Sequence, residues 1–360
     1  MPPKSPRIPM ECERECVVCT RQANCRNYGV VSCDACKMFF RRNIVENLVY
    51  TCKKDNKCLD EVKSTKRMCR SCRLLKCLES GMEYVPKSMS ILEVRNRKDE
   101  ELEAFLKDLN AMDASWHMKL MYFYTEEDPS LEEVLAGEKV VVTKKRPDQL
   151  VSQQEWSFFS VYIYISSLMN FSFVQQLSTR DKLILFRYST MKVGMLCTSM
   201  RTIRENKERV YTPDGQEVYP EALIRILNID PLVIKRLCNL LMCRLRELGV
   251  SVEEFYLLRL IFFCNPAIPS LSRDARSILS THQKMYTSAL LQLCQMKFQH
   301  TAPSRLADLL SLTHLISKVY DDLQYIVMLF QCSMPGFKFH KLSIDTLHLS
   351  KNTDYRRRDE

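Results

Sequence analysis

Eight cysteines between residues 16 and 72 leave the first part of this chain few ways to fold. Cys16-x2-Cys19 and Cys33-x2-Cys36 stand thirteen residues apart, and Cys52-x5-Cys58 and Cys69-x2-Cys72 stand ten apart. Two thiols at such spacing reach one ion only where the backbone turns tightly, and four thiolates close a tetrahedral zinc shell. The pattern therefore predicts two structural zinc ions. None of the six His residues lies in residues 1–90, so a mixed Cys/His site is excluded there. Four thiolates leave no position for a reactive water, which argues against a catalytic zinc. With no nucleophile–base motif elsewhere, the chain reads as a non-enzyme. Cys12, Cys25 and Cys77 fall outside both sets and read as small buried or incidental thiols.

After Cys36 the pattern turns helical. Ala35, Met38, Phe39 and Arg42 recur at three- and four-residue intervals, so a helix starting inside the metal clip has an apolar and a basic stripe. A short anchored helix carrying Lys37, Arg41 and Arg42 has the width and charge for a DNA major groove. In Arg70–Gly81 the residues Leu74, Leu75 and Leu78 form an apolar face, and Gly81 is the expected stop. This second helix is expected to pack across the first and bury Phe39 and Phe40.

At 360 residues the chain is long enough for two folded units and a linker. Of the net charge of +10, residues 1–90 carry 8, from 18 Lys and Arg against 10 Asp and Glu. A basic module on a nearly neutral body predicts a polyanion partner for the module alone. The odd total of 17 cysteines, with no apolar run after the opening Met-Pro-Pro-Lys, argues against a secreted disulfide protein. No segment reaches the roughly 18 apolar residues of a membrane span, so no membrane partner is expected.

The expected division is a disordered arm over 1–15, the zinc module over 16–86, a hinge over 87–150, a helical body over 151–350 and a tail over 351–360. Within the hinge, Arg95–Glu101 reads as a solvated helix former, and Glu126–Ser130 and Lys144–Pro147 as loops. Beyond it, Trp156, Phe159, Tyr162 and Ile163 trace one face of a long helix, and further helices are predicted over 182–200, 221–248, 251–264, 271–298 and 304–332. Val210–Tyr219 reads as a hairpin around Pro213-Asp214-Gly215. The fold class is mostly α: an N-terminal double four-cysteine zinc-finger module, then a C-terminal three-layer α-helical sandwich with a small β-hairpin. Leu306-Ala-Asp-Leu309-Leu310 spells LxxLL, but inside a long amphipathic helix it reads as core or dimer seam.

The module resembles the DNA-binding domain of the nuclear hormone receptors. The resemblance rests on the eight cysteines, Tyr28-Gly29-Val30, Phe39-Phe40-Arg41-Arg42 and Cys69-Arg-x-Cys-Arg-x-x-Lys-Cys-Leu-x-x-Gly-Met82. It implies a first helix that enters the major groove of a six-base-pair half-site of double-stranded DNA. The positions matching base readers are Asp34, Lys37, Met38 and Arg42; those matching or adjoining phosphate contacts are Tyr28, Arg41, Arg70 and Arg73. Asp34 stands where Glu is common, Met38 where Gly or Ala is common and Asn27 where His is common. The Cys58–Cys69 gap is one residue longer than usual.

The second part resembles the ligand-binding domain of the same family through Phe171–Leu177, Asp181 and Leu183–Leu185, most like its expanded nematode branch. That implies a small lipophilic ligand near Trp156, Phe159, Ile163 and Met200, although the same residues serve equally to fill a core. It also implies coregulators, pairing with a like or unlike receptor, and a nuclear location. Many receptors grip a coactivator helix between a late Lys of the third helix and a Glu of the last. Here the Lys position falls near Met169, and Leu342–Leu347 offers Asp345 but no Glu.

A sequence-specific transcription factor of this type, regulating RNA polymerase II transcription, is thus the expected function. The alternative is a zinc-scaffolded adaptor that grips another protein. The basic bias of residues 1–90 favours nucleic acid, since an adaptor needs no such excess.

Overall fold

A computed structural model describes residues 14–23, 25–46, 48, 50–54, 58, 68–84, 99–138, 140–146 and 149–349. It separates into two units, Met1–Pro86 with Asn110–Lys119, and Lys87–Leu109 with Leu120–Glu360. Cys12, most of the expected arm, the hinge up to Lys98 and the tail lie outside the described residues. Arg14 and Glu15, placed in the arm by the sequence, form a strand.

In the first unit β1 (Arg14–Glu15) pairs antiparallel with β2 (Gln22–Ala23), and β3 (Arg26–Asn27) with β4 (Val30–Val31). Two helices follow, α1 (Asp34–Val45) and α2 (Arg70–Glu79), and they pack on each other. Helix α1 buries Cys36, Phe40, Asn43 and Ile44; α2 buries Cys72, Leu74, Leu75, Cys77 and Leu78. Helix α2 ends as expected, with Gly81 in the left-handed region (φ +85°) and the Met82 N–H returning to the Cys77 carbonyl. Phe40 is fully buried, whereas Phe39 stays half-buried, a correction to the expectation that both enter the core.

The second unit is helical. The stretch assigned to a hinge holds α3 (Asp99–Tyr122), then α4 (Leu131–Ala136) between β5 (Phe123–Tyr124) and its antiparallel partner β6 (Thr143–Lys144). Leu102, Phe105 and Leu109 are the reason that hinge is folded: they are buried, and Phe105 stacks on Tyr286 at 6.0 Å. Then come α5 (Gln153–Met169), α6 (Ser172–Gln175), α7 (Thr179–Arg204), α8 (Glu221–Ile226), α9 (Pro231–Glu247), α10 (Val252–Phe263), α11 (Arg273–Phe298), α12 (Ala302–Ser333) and α13 (Lys341–Leu347). The single helix expected over 221–248 is two. Asn228 takes a left-handed backbone (φ 49°), Asp230 caps, and Pro231 opens α9, where its missing N–H costs nothing. The 210–219 hairpin forms around one bridge, Tyr211 to Glu217.

Helix α10 is buried from Glu254 to Ile261 and contacts α7, α11 and α12; α7 in turn meets α4, α5, α9, α12 and α13. These two are the inner elements on which the others are laid. Buried charge is paired: the Glu254 carboxylate accepts from Arg305 at 2.8 and 2.7 Å. Asp181 accepts from the Ser178 hydroxyl (2.6 Å) and from the N–H and hydroxyl of Ser272 (2.9 and 2.8 Å), which ties the start of α7 to the cap of α11. No helix among the described residues is long and apolar enough to cross a membrane.

Candidate nucleic-acid interface and zinc centres

Each cysteine set is built from one irregular segment and one helix start. Cys16 and Cys19 sit on a turn closed by the Cys19 and Thr20 N–H groups on the Cys16 carbonyl. Cys33 is the N-cap of α1 and Cys36 lies in its first turn; Cys69 and Cys72 stand the same way on α2. The Cys72 N–H donates to Cys69 Sγ at 3.4 Å. The positive end of a helix favours sulfur as thiolate, so the two starts suit metal ligation.

The sulfur atoms of Cys16, Cys19, Cys33 and Cys36 lie within 4.8 Å of one another, as do those of Cys52, Cys58, Cys69 and Cys72. Individual separations are 3.4 Å (Cys19–Cys33), 3.7 Å (Cys52–Cys58) and 3.6 Å (Cys52–Cys72). Zinc–sulfur bonds of about 2.3 Å in a tetrahedron put sulfurs about 3.8 Å apart, whereas a disulfide would need about 2.05 Å. The two clusters are therefore positioned to bind two zinc ions. Cys25 is exposed and Cys77 fully buried, and burial pushes the Cys77 thiol up to about 12. Neither joins a cluster.

Helix α1 divides cleanly. Opposite its buried face, Asp34, Ala35, Met38, Arg41 and Arg42 are exposed and Lys37 is half-exposed. Tyr28, held at a left-handed backbone (φ 55°), tilts its ring on Phe40 at 5.1 Å. Burial raises its phenol above the ordinary value, with nearby Arg41 opposing, so Tyr28 and Arg41 share one neighbourhood. Arg70 is exposed, its guanidinium 5.9 Å from the Tyr50 ring. Asn27, where His is common, is buried and donates to the Ser32 carbonyl at 2.9 Å, bracing the strand that leads into Cys33.

Arg73 is half-exposed and reaches the metal end of the module. Its guanidinium donates to the Ala35 carbonyl (3.2 Å) and to Cys36 Sγ (3.3 Å), and covers the Phe39 ring at 4.3 Å. It fastens α2 to the metal end of α1.

Residues 14–84 match the family model of the double treble clef zinc finger of C4 type, and residues 144–333 match that of the ligand-binding domain of nuclear hormone receptor. The chain belongs to the nuclear hormone receptor family. It is similar to the Caenorhabditis elegans nuclear hormone receptor family members nhr-51 (41% identical, over 92% of this chain and 90% of the relative) and nhr-52 (37%, over 92% and 99%). The receptor is thus a transcription factor of the nuclear-receptor type, with two zinc sites in its DNA-binding module.

In the receptor's second unit Trp156, Phe159, Ile163 and Met200 are all buried. Trp156 stacks under the Arg201 guanidinium at 5.2 Å, and its buried indole N–H has no hydrogen-bond partner among the described residues. Leu306 and Leu310 are half-buried and Leu309 fully buried within α12. Helix α13 covers Leu342–Leu347, and Asp345 accepts from the Leu131 N–H of α4 at 3.0 Å. Residues 126–130 are the loop expected of them, and α4 begins directly after it, with the capping box Ser130-x-x-Glu133 at its start and Gly137 in the left-handed region at its end.

Proposed function

We propose that the receptor reads duplex DNA with the exposed face of α1, in the nucleus. Asp34, Lys37, Met38 and Arg42 meet base edges in the major groove, while Tyr28, Arg41 and Arg70 hold phosphates. The observation that carries this reading is the division of α1, whose charged face is free while its apolar face is spent on Phe40 and Ile44. Asp34 accepts from a cytosine amino group, and Lys37 and Arg42 donate to guanine O6 and N7, so the half-site has a G·C-bearing core. Arg73, whose guanidinium also meets the Ala35 carbonyl and Cys36 Sγ, is the fourth member of the phosphate set. The test is methylation interference with the zinc-loaded chain on a selected duplex. Guanine N7 methylation within one block of the major groove should abolish binding; binding indifferent to it would contradict the reading.

A small lipophilic ligand between α5 and α7 is the second part of the proposal, supported by the unpartnered indole N–H of Trp156. A buried donor without an acceptor costs stability, and a ligand acceptor relieves it. Native mass spectrometry of the purified chain should show an adduct that Met200→Trp removes. Absence of any adduct would count against it.

A further inference from the structure

We propose that Tyr84 is a positioning residue for DNA binding: its ring holds that of Tyr28 at the angle from which the Tyr28 hydroxyl meets a phosphate. The proposal rests on the reading of Tyr28 as a phosphate contact. Tyr84 lies two residues beyond Met82, where the cysteine-led motif of the module ends, so the motif itself gives it no role.

Tyr28 stands where a tyrosine is unfavourable. It and Gly29 form the two-residue turn between β3 and β4, closed by the paired Asn27 and Val30. Both take left-handed backbones (φ 55° and 89°), which a tight hairpin turn demands and Asn-Gly supplies with least strain. A bulky aromatic at positive φ is a rare conformation that persists only where its surroundings hold it. Such a residue is kept for what its side chain does, and the contacts that hold it then belong to that role.

Those contacts come from the segment that leaves α2. A Cβ on Gly29 would stand 3.6 Å from the Gly81 carbonyl oxygen, so the end of α2 closes against the turn. The Glu83 N–H then donates to the Tyr28 carbonyl at 3.0 Å. Next, the Tyr84 ring stacks on the Tyr28 ring, with centroids 6.2 Å apart and planes 21° apart. Tyr28 also meets Phe40, at 5.1 Å and a tilt of 57°. Phe40 is fully buried and fixed by the packed face of α1, whereas Tyr28 and Tyr84 are both half-buried. The carbonyl bond and Phe40 set where the Tyr28 ring begins, and Tyr84 removes the swing that remains. The hydroxyl is therefore aimed before DNA arrives, and binding has one side chain fewer to order. Arg41 shares this neighbourhood, which places a cation beside the aimed hydroxyl.

The zinc-loaded full chain and its Tyr28→Phe, Tyr84→Ala, Tyr84→Phe and Tyr28→Phe/Tyr84→Ala variants are titrated onto one selected duplex at several salt concentrations. Tyr28→Phe should weaken binding about tenfold, through loss of one hydrogen bond to a charged oxygen. Tyr84→Ala should weaken it about fivefold, and Tyr84→Phe should bind as wild type. The double variant should bind as Tyr28→Phe does, because an aimed ring without its hydroxyl gains nothing. The salt slope should hold throughout, since no cation is removed. A Tyr84→Ala effect of the same size with and without the Tyr28 hydroxyl would make Tyr84 a packing residue and overturn the proposal. So would a Tyr84→Ala chain of wild-type affinity beside a weakened Tyr28→Phe. If Tyr28→Phe itself bound as wild type, the phosphate reading of Tyr28 would fall and take this proposal with it. Elemental analysis at two zinc ions per chain checks that each variant is folded. Should Tyr84→Ala lose zinc, Tyr84→Leu, which keeps bulk without a flat ring, replaces it and the same outcomes decide. Zinc loss there too would mark Tyr84 as structural and sink the idea.

Discussion

The zinc module and the helical unit keep their folds by different means. Among the buried side chains of the module, Cys16, Cys19, Cys33, Cys36, Cys58 and Cys72 stand beside only a few apolar residues such as Phe40, Ile44, Leu74 and Leu78. The helical unit instead buries Phe158, Phe171, Phe173, Phe186 and Phe263 together with a helix, α10, that is enclosed on every side. A domain as small as the module has too little core to stand alone, so its ligands replace packing. That economy leaves one face of α1 free of structural duty, and this is the face we propose for DNA.

Removing metal should therefore break one unit and spare the other, and this is the largest effect expected. Structural zinc contributes about 10–16 kcal/mol in small fingers. Chelation, or Cys33→Ser, should unfold residues 14–84 and abolish DNA binding while the helical circular dichroism of the second unit persists. Melting of both units together would show that the comparison is wrong.

The reverse experiment attacks the apolar core. Phe263 is fully buried and meets Phe186 and Phe173 at ring distances of 5.2 and 6.4 Å. Phe263→Ala should cost the helical unit about 3–5 kcal/mol and leave zinc content at two per chain. Denaturant melts paired with elemental analysis check both halves.

A smaller effect sharpens the picture inside the helical unit. Burial pushes the Asp181 carboxyl up, but the Ser178 hydroxyl and the Ser272 N–H and hydroxyl outweigh it and hold it below its ordinary value. Its stabilisation is then complete above the unfolded value of about 3.9 and is lost as pH falls through the folded one. Asp181→Asn should cost about 1.5–3 kcal/mol near neutrality and flatten the acid limb of the stability curve. An unchanged acid limb would mean that another carboxylate governs it.

The two units were also legible in the sequence to different depths. Ligand spacing acts at single residues, so all eight cysteines and the two helices they start could be named. Helical periodicity names elements but not their ends: the 221–248 run continues through Pro231, which is harmless at a first helical turn and so breaks nothing in the pattern. The two-residue strands β5 and β6 are shorter than any alternation can register. Partnerships across the fold were the least visible. Arg73 meets Cys36 thirty-seven positions away, and Asp345 meets Leu131 at a separation of 214.

The central claim is that α1 specifies sequence through Arg42 while Arg41, on the same face, only positions the module. Selection from random duplexes with the wild-type chain, Arg42→Ala and Arg41→Ala tests it directly. Arg42→Ala should cost about 1–3 kcal/mol and relax preference at particular base pairs. Arg41→Ala should weaken all sequences alike and flatten the salt slope by about one unit. If both variants lost affinity uniformly and selected the wild-type sequence, α1 would not be the element that reads DNA.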